Sequence, residues 1–263
     1  MIPIFRKIRK TILGNSKSLN YLGYAFGEII LVVIGILIAL SINNWAENRK
    51  KQQQRNSYTE NLIVDLDKDI KHLEELNVLN TEYEKDGFYL LDFMENKLNL
   101  IDTVYLNKTI VHCARIPNAT IVYATYNDIM DNINLFNDIE LKRLLDNYYV
   151  PNEWDALFQN RILQTAWYDY RDEVIKFHSP LLYQDAYKIE KGDTSIIMDN
   201  HAKYKVRWEH IKKNKYLKTQ LEMILAYRIL KRAQFEDEIN NAKSILDYIK
   251  LNYRHSNDSQ DQN

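Results

Sequence analysis

The sequence predicts an all-α protein in which an N-terminal transmembrane helix continues into a long helix, with an antiparallel bundle completed by a long C-terminal helix. Three observations predict this class. Only 6 Gly and 4 Pro occur in 263 residues, too few for the many tight turns of a sandwich, barrel or propeller. An uncharged apolar stretch lies near the N-terminus. Two long proline-free segments, one after this stretch and one at the C-terminal end, carry apolar residues at helical spacing.

The uncharged stretch has the length of a membrane-spanning helix. Its fully apolar part is residues 29–42. Counted over residues 24–45, a helix rises about 31 Å, which matches the thickness of a hydrocarbon core. Tyr21 and Tyr24 mark one membrane interface and Trp45 the other, as in an aromatic belt.

A cleaved signal peptide is the alternative interpretation of the same stretch. Three features favour a retained signal anchor at residues 21–45. The basic region before the stretch is long, Glu28 interrupts the apolar run, and a charged helical pattern follows without a loop. We therefore predict a single-pass membrane protein whose first partner is the lipid bilayer.

The charges are distributed unevenly although the formal net charge is only −1. Residues 1–27 hold five bases and no acid, while the chain from Ala46 onward holds 30 bases and 35 acids. The near-balance excludes a bulk nucleic-acid binder, so we expect no nucleic-acid partner. The basic N-terminus is expected in the cytoplasm and the acidic body in the periplasm, which locates the protein in the cytoplasmic (inner) membrane. Basic residues just after the span weaken this asymmetry.

Small residues line one face of the predicted transmembrane helix. Gly23, Gly27, Gly35 and Ala39 differ by multiples of four, and small-xxx-small pairs let two helices approach closely. The hypothesis is a homo-oligomer formed through this helix; the alternative is that glycine is simply frequent in such helices. Glu28 is the one intramembrane acid. It is either a functional carboxylate or an interfacial one that stays hydrated.

The chain after the span reads as helices. A long first helix, either continuous or broken at Gly87, is predicted to about residue 96. Its apolar stripe is Ile63, Leu66, Ile70 and Leu73. The sequence of residues 102–124 is ambiguous between helix and extended structure.

Capping signals locate the next helices. A capping box beginning at Thr125 predicts a short helix there. Either Asn137 or Asp138 is expected to cap a helix over residues 139–149.

The last third is predicted to hold two more helices and a loop. Residues 153–178 form a helix in this prediction, residues 181–200 a loop, and residues 202–253 one long final helix. That helix resembles the first in length, so the two are expected to pair antiparallel. It carries a coiled-coil heptad stripe of Phe235, Ile239, Ala242, Leu246, Ile249 and Tyr253.

These observations predict four segments along the chain. They are a basic cytoplasmic segment at residues 1–20, a transmembrane helix at 21–45, an extracytoplasmic helical domain at 46–254 and a disordered tail at 255–263.

Residue types that carry metal or catalytic chemistry form no recognised motif, so we predict no catalytic residue, no metal and no cofactor. Asp65, Asp67 and Asp69 alternate as in a calcium loop, but the glycine and final glutamate of such a loop are missing. Asp69 and Glu75 flank His72 at helical spacing, which gives each pair two ligands where a site needs three or four. These are more simply the charged face of a helix.

The single cysteine excludes an intramolecular disulfide and any Cys-cluster metal site. Cys113 adjoins His112, but neighbours on a helix point apart. We therefore expect a lone buried thiol rather than a nucleophile.

Aromatic residues concentrate in the middle of the chain, which contains many of its 19 Tyr. A partner surface that includes Tyr148, Tyr149, Trp154 and Trp167 is one interpretation, because Tyr and Trp anchor interfaces. A helical core that uses Tyr in place of Leu is the other, and several of these residues sit at helical spacing.

The N-terminal motifs resemble a known family. They are Phe-Arg-Lys-Ile-Arg-Lys at residues 5–10, the Gly-Glu run within residues 24–40, and Ile-Asn-Asn-Trp at residues 42–45. A weaker likeness continues over residues 125–149. Together they resemble an uncharacterised family of bacterial membrane proteins, common in Bacteroidota, called domain of unknown function 6090. The resemblance implies a single-pass, helix-rich, membrane-anchored protein, and it implies no activity and no catalytic residues.

Two functions from different classes remain after this reading. The first is a non-enzymatic interaction or scaffold module on the periplasmic side of the membrane, with an unknown protein partner. The second is an envelope enzyme with a dispersed site. A concave cluster of acids with His or Tyr favours the enzyme, whereas an aromatic patch without perturbed acids favours the module.

Overall fold

The computed structural model describes residues 19–117, 119–150, 164–191, 196 and 201–253. Within these ranges the chain forms α-helices and short 3-10 helices and no β-strand. The all-α prediction is therefore confirmed.

Nine α-helices lie in the described ranges, and we number them in chain order. They are α1 (Leu19–Met94), α2 (Thr103–Cys113), α3 (Ala124–Asp131), α4 (Ile139–Tyr149), α5 (Gln164–Val174), α6 (Leu181–Glu190), α7 (His201–Tyr204), α8 (Trp208–Lys213) and α9 (Lys215–Asn252). Two 3-10 turns, Ile133–Leu135 and Ile175–Phe177, follow α3 and α5.

The chain divides into two compact units, Met1–Ser57 and Tyr58–Asn263. In the described part of the first unit, α1 carries the predicted apolar span. From Tyr24 onward this helix is long and apolar enough to cross a membrane by length and composition, and none of its most apolar window is buried within the protein.

In the second unit, α1 and α9 pack antiparallel. Glu95, the residue after α1, and Glu84 and Glu74 of α1 pair in turn with Lys218, Arg232 and Lys243 of α9. The nitrogen–oxygen distances are 2.7, 3.2 and 2.9 Å. Residue numbers fall on one helix as they rise on the other, which defines the antiparallel direction. The predicted pairing of the first and last long helices is confirmed.

Two apolar cores form along this pair. The Leu66 core joins α1, α3, α4 and the C-terminal half of α9, and it buries most of the two stripes predicted from the sequence. At its end, the rings of Tyr58 and Tyr253 both pack against Phe136, with centroid distances of 6.4 and 5.9 Å. The Leu225 core joins the C-terminal end of α1 to α2, α5, α6 and the N-terminal half of α9.

The predicted single final helix is wrong, because the structure has three helices in its place. Lys205 has a φ of 50°, which ends α7, and Asn214 caps α9 through a hydrogen bond from the Leu217 N–H. Between these breaks, the Arg207 N–H donates to the carbonyl of Phe177 at 2.8 Å. This backbone hydrogen bond to a distant segment replaces one that a continuous helix would make.

The prediction of a loop over residues 181–200 is also wrong in its first half, where α6 forms. Pro180 precedes α6 with a φ of −54°, an angle suited to starting a helix. Leu182 and Ala186 of α6 are buried in the Leu225 core. Apolar packing at helical spacing therefore outweighs the local turn signals farther along.

The two capping predictions have opposite outcomes. Asp138 caps α4 by accepting the Leu141 N–H at 2.9 Å, as predicted. The capping box at Thr125 is wrong, since Thr125 lies inside α3 and its hydroxyl donates to Asp65 at 2.5 Å. A tertiary contact to α1 thus takes the side chain that local sequence assigned to a cap.

A candidate ligand pocket

A cavity of about 710 Å³ lies in the second unit between α1, α2 and α6. We call it the α1–α2–α6 pocket, and its volume is within the range of small-molecule sites. Its lining residues are Leu79, Glu82, Tyr83, Asp102, Val104, Tyr105, Lys108, Val111, His112, Ala186, Ile189, Glu190 and Ile196.

Helical spacing accounts for this lining. On α2, Val104, Lys108 and Val111 recur at intervals of four and three, which places them on one face. Asp102 begins the helix by accepting the Tyr105 N–H at 3.0 Å. The cap therefore fixes where α2 starts and which of its side chains face the cavity.

A buried carboxylate holds the polar wall of the pocket together. Asp86 is 2% exposed; its Oδ2 lies 2.5 Å from Nδ1 of His112, and its Oδ1 accepts the hydroxyl of Tyr105. The Lys108 ammonium is 3.8 Å from the same Oδ2. Burial alone raises the pKa of Asp86, but the hydrogen bonds from His112 and Tyr105 reverse this and lower it overall.

The ionised state of Asp86 determines what His112 offers to the cavity. A carboxylate accepts but cannot donate, so the shared proton lies on Nδ1 of His112. In the neutral ring, Nε2 is then the hydrogen-bond acceptor. The pocket thus combines an apolar wall with an imidazole whose Nδ1 is engaged by a buried carboxylate.

Arg228 of α9 supports this wall from behind. It is 1% exposed. Its guanidinium donates to the carbonyl of His112 at 2.9 Å and also to the carbonyl of Arg115, both at the end of α2. Its guanidinium carbon lies 5.1 Å from the ring centre of Tyr83, and that ring packs on His112 at 4.6 Å. A cation at the C-terminal end of a helix is also favoured by the helix dipole.

The predicted buried thiol is confirmed. Cys113 is free and fully buried, and burial raises its pKa to about 12. The thiol is therefore protonated at neutral pH and is not activated as a nucleophile.

The residues predicted for a partner surface fall in different environments. Tyr149 is 1% exposed and belongs to the Leu66 core, where its ring stacks on Tyr126 at 4.4 Å. Tyr148 is half-buried and donates to Asp69. Trp167 is half-buried beside Arg171, and Trp154 lies outside the described residues. Binding of a partner at these residues stays a prediction.

Asp69 is a second buried carboxylate, nearly five turns before Asp86 on α1. It accepts the Val122 N–H at 3.2 Å and the Tyr148 hydroxyl at 3.2 Å. Burial raises its pKa, and the hydrogen bond from Val122 only partly opposes this. No group of three or more His, Cys, Asp or Glu that could hold a metal occurs among the described residues.

The residues predicted for the membrane lie on α1. A Cβ atom added at Gly27 or Gly35 would meet no described atom within 4 Å. Glu28 and Trp45 are exposed, and Arg49 lies over the Trp45 ring at 5.4 Å. Ala39 is exposed and Tyr24 half-buried, while the exposure of Tyr21 and Gly23 is outside what the structure describes.

Sequence reasoning missed Asp86, Tyr105 and Lys108 as site residues and weighed His112 only with its neighbour Cys113. Their contacts join α1 to α2 across a turn, and no short motif marks them. Buried polar residues within a helical stripe were the available signal, but burial cannot be read from one sequence.

Comparison with known proteins gives one family. The model of the "Family of unknown function (DUF6090)" matches residues 28–141, a range that contains α2 and most of α1 and ends before α5, α6 and α9. No curated protein and no solved structure matches the chain. The resemblance to this family that the sequence motifs indicated is thereby confirmed over residues 28–141.

Proposed function

We propose that the protein is a membrane-anchored, non-enzymatic binding module that receives a ligand or a partner's side chain in the α1–α2–α6 pocket on the periplasmic side of the membrane. The observation that carries this proposal is the cavity of about 710 Å³ whose polar wall is fixed by buried hydrogen bonds. A pocket of this size with a mainly apolar lining and a few fixed polar groups is typical of binding sites.

The pre-arrangement of the wall supports binding. Asp86 is already hydrogen-bonded to both His112 and Tyr105, and Arg228 holds the end of α2. A ligand that binds there does not have to order these side chains, which lowers the entropy cost of binding.

The proposed topology can be tested with C-terminal reporters on the full chain. Alkaline phosphatase, which is active outside the cytoplasm, should be active in this fusion, and green fluorescent protein exported through the general secretion route should be dark. The reverse result would contradict a periplasmic body. The apolar span near the N-terminus supports the anchor.

Binding in the pocket can be tested with a matched pair of variants. Val104 lines the mouth of the pocket and is 37% exposed, so Val104→Trp fills the cavity without disturbing a core. Val78, 64% exposed and not a lining residue, provides the control Val78→Trp. Fragments that bind the wild-type protein in nanodiscs by saturation-transfer NMR should be lost with Val104→Trp and retained with Val78→Trp. Fragments retained by both variants would place the binding elsewhere.

An enzyme is the second candidate, and the contact between Asp86 and His112 favours it. An acid, an imidazole and a tyrosine converge in a concave site, the arrangement that a general base requires. Such an enzyme would use His112, held by Asp86, as a proton acceptor. A bound fragment recovered unchanged after long incubation supports the module; conversion that Asp86→Asn abolishes supports the enzyme.

A further inference from the structure

We propose that the α1–α2–α6 pocket binds a protonated amine carried on an apolar body, with the ammonium N–H donated to His112 and its charge balanced by carboxylates of the lining. This inference rests on the proposed function and adds the chemical class of the ligand. It follows from the charges, the hydrogen-bond acceptors and the apolar surface of the lining.

The charge of the described lining is negative. Glu82, Asp102 and Glu190 contribute three carboxylates, whereas Lys108 is the one ammonium among these residues. The charge of Lys108 is partly offset by Asp86, 3.8 Å away. Glu190 has its own partner, Arg115, which is not a lining residue. A cation therefore enters a more favourable potential than an anion.

The fixed acceptor in the wall matches an N–H donor. Nδ1 of His112 is engaged by Asp86, and this contact leaves Nε2 as the acceptor of the neutral ring. Carboxylates and this nitrogen are all acceptors, which an ammonium group with three N–H donors can satisfy together. An alcohol offers one donor and a carboxylate none.

The remaining lining determines the rest of the ligand. Leu79, Val104, Val111 and Ile189 provide aliphatic contacts. The rings of Tyr83 and Tyr105, which already lie within cation–π distance of Arg228 and Lys108, add aromatic surface. An apolar body gains free energy by leaving water here. A small hydrophilic cation would forgo that gain.

The test uses full-length protein in nanodiscs of neutral lipid and three probes of nearly equal shape: 3-phenylpropan-1-amine, 3-phenylpropan-1-ol and 3-phenylpropanoate. Affinities are measured by titration calorimetry at neutral pH. We expect the amine to bind about tenfold or more tightly than the alcohol, and the carboxylate to bind most weakly. The preference of the amine over the alcohol should fall as salt is raised from about 0.05 M to about 0.5 M.

Variants assign the preference to the pocket. Glu82→Gln and Asp102→Asn should each weaken amine binding about two- to fivefold and weaken alcohol binding by less. Asn keeps the helix cap that Asp102 provides, so α2 should stay folded. Glu140→Gln removes an exposed carboxylate that pairs with Arg143 outside the pocket and serves as the control.

The outcomes separate this inference from the proposed function. If the alcohol or the carboxylate binds as tightly as the amine, and Val104→Trp abolishes that binding, the pocket is a binding site but the amine class is wrong. If neither Glu82→Gln nor Asp102→Asn weakens amine binding, the amine class is also wrong. If no probe binds, or if Val104→Trp leaves all binding intact, both proposals are overturned.

Discussion

The Asp86 carboxylate and the His112 imidazole, 26 residues apart, meet at 2.5 Å between Oδ2 and Nδ1. The contact joins α1 to the end of α2 and forms the polar wall of the pocket. It is buried, since Asp86 is 2% and His112 8% exposed. One pair of side chains therefore links the stability of the second unit to the chemistry of its cavity.

Asp86→Asn should destabilise the full-length protein by about 1–3 kcal/mol at neutral pH, because it weakens two buried hydrogen bonds to a carboxylate. The measurement is thermal unfolding in detergent micelles followed by circular dichroism. The pKa of Asp86 is lowered in the fold, against the opposing effect of burial and through the bonds from His112 and Tyr105. Its contribution is therefore present above the unfolded pKa, about 4, and is lost as pH falls through the folded pKa.

The difference in stability between the wild type and Asp86→Asn should accordingly become smaller when the pH is lowered from about 7 to about 3. Glu140→Gln, an exposed carboxylate on α4, serves as the control and should change stability little at either pH. A difference in stability that stays constant with pH would show that the carboxylate charge of Asp86 contributes nothing.

Arg228→Met should cost about 2–4 kcal/mol, because the carbonyls of His112 and Arg115 remain buried without this donor. Arg228→Lys should retain only part of the stability that Arg228→Met loses, because an ammonium lacks the forked N–H donors of the guanidinium. Arg232→Met, one turn later on α9, removes the partly exposed pair with Glu84 and should cost under about 1 kcal/mol. Equal losses from Arg228→Met and Arg232→Met in urea unfolding would contradict this role.

Gly87→Ala should destabilise the protein by about 1 kcal/mol although alanine favours helices. A Cβ there would lie 2.6 Å from Cδ2 of Leu225 in the buried contact between α1 and α9. Overpacking costs about 1–3 kcal/mol, against a gain of about 0.5–1 kcal/mol in helix propensity. Leu225→Val removes Cδ2, so the double variant should lose less stability than the sum of the single variants. Simple additivity in unfolding measurements would rule out the clash.

Asp69→Asn should remove a pH dependence of stability whose sign is opposite to that of Asp86. Burial raises the pKa of Asp69 in the fold, with partial opposition from the Val122 N–H. The contribution of Asp69 to stability is therefore greatest below its unfolded pKa and is lost as pH rises through its folded pKa. The melting temperature of Asp69→Asn relative to wild type should rise between about pH 4 and pH 8. A difference that is flat across this range would contradict the raised pKa.

For the membrane helix, we propose self-association along the face of Gly27, Gly35 and Ala39. Side chains added at the two glycines meet nothing in the described monomer, so Gly27→Ile with Gly35→Ile should leave the fold of the monomer unchanged. The double variant should lose a dimer that is cross-linked in cells. Val32→Leu on the same helix is the conservative control. An undiminished dimer in the double variant would end this proposal.

The long helices were predictable because their information is local and repeated. The stripe from Leu66 to Leu73 and the stripe from Phe235 to Ile249 each recur at helical spacing over several turns. Asp138 was predictable as a cap for the same reason, since a cap contacts an N–H three residues ahead. These features depend on neighbours that the sequence places side by side.

The breaks between the C-terminal helices and the contacts in the α1–α2–α6 pocket were not predictable in the same way. Nothing near Lys205 marks a left-handed residue, and the hydrogen bond from the Ser179 N–H to the carbonyl of Tyr204 becomes visible only after folding. The contact of Asp86 with His112 likewise depends on how α2 packs on α1. Side chains that contact residues distant in sequence are not identified by the local sequence pattern.

Because the rings of Tyr58 and Tyr253 pack on the same residue, Phe136, the two ends of the described part of the second unit lie side by side. Tension applied between those ends would separate the contacts of α1 and α9 one after another, beginning at Tyr58 and Tyr253. It would not load all of these contacts at the same time. The Leu66 core would yield first, and the cavity, which begins about 32 Å along α1 from Tyr58, would be protected until that core had opened. The fold thus has a built-in order of mechanical failure in which its pocket is lost late.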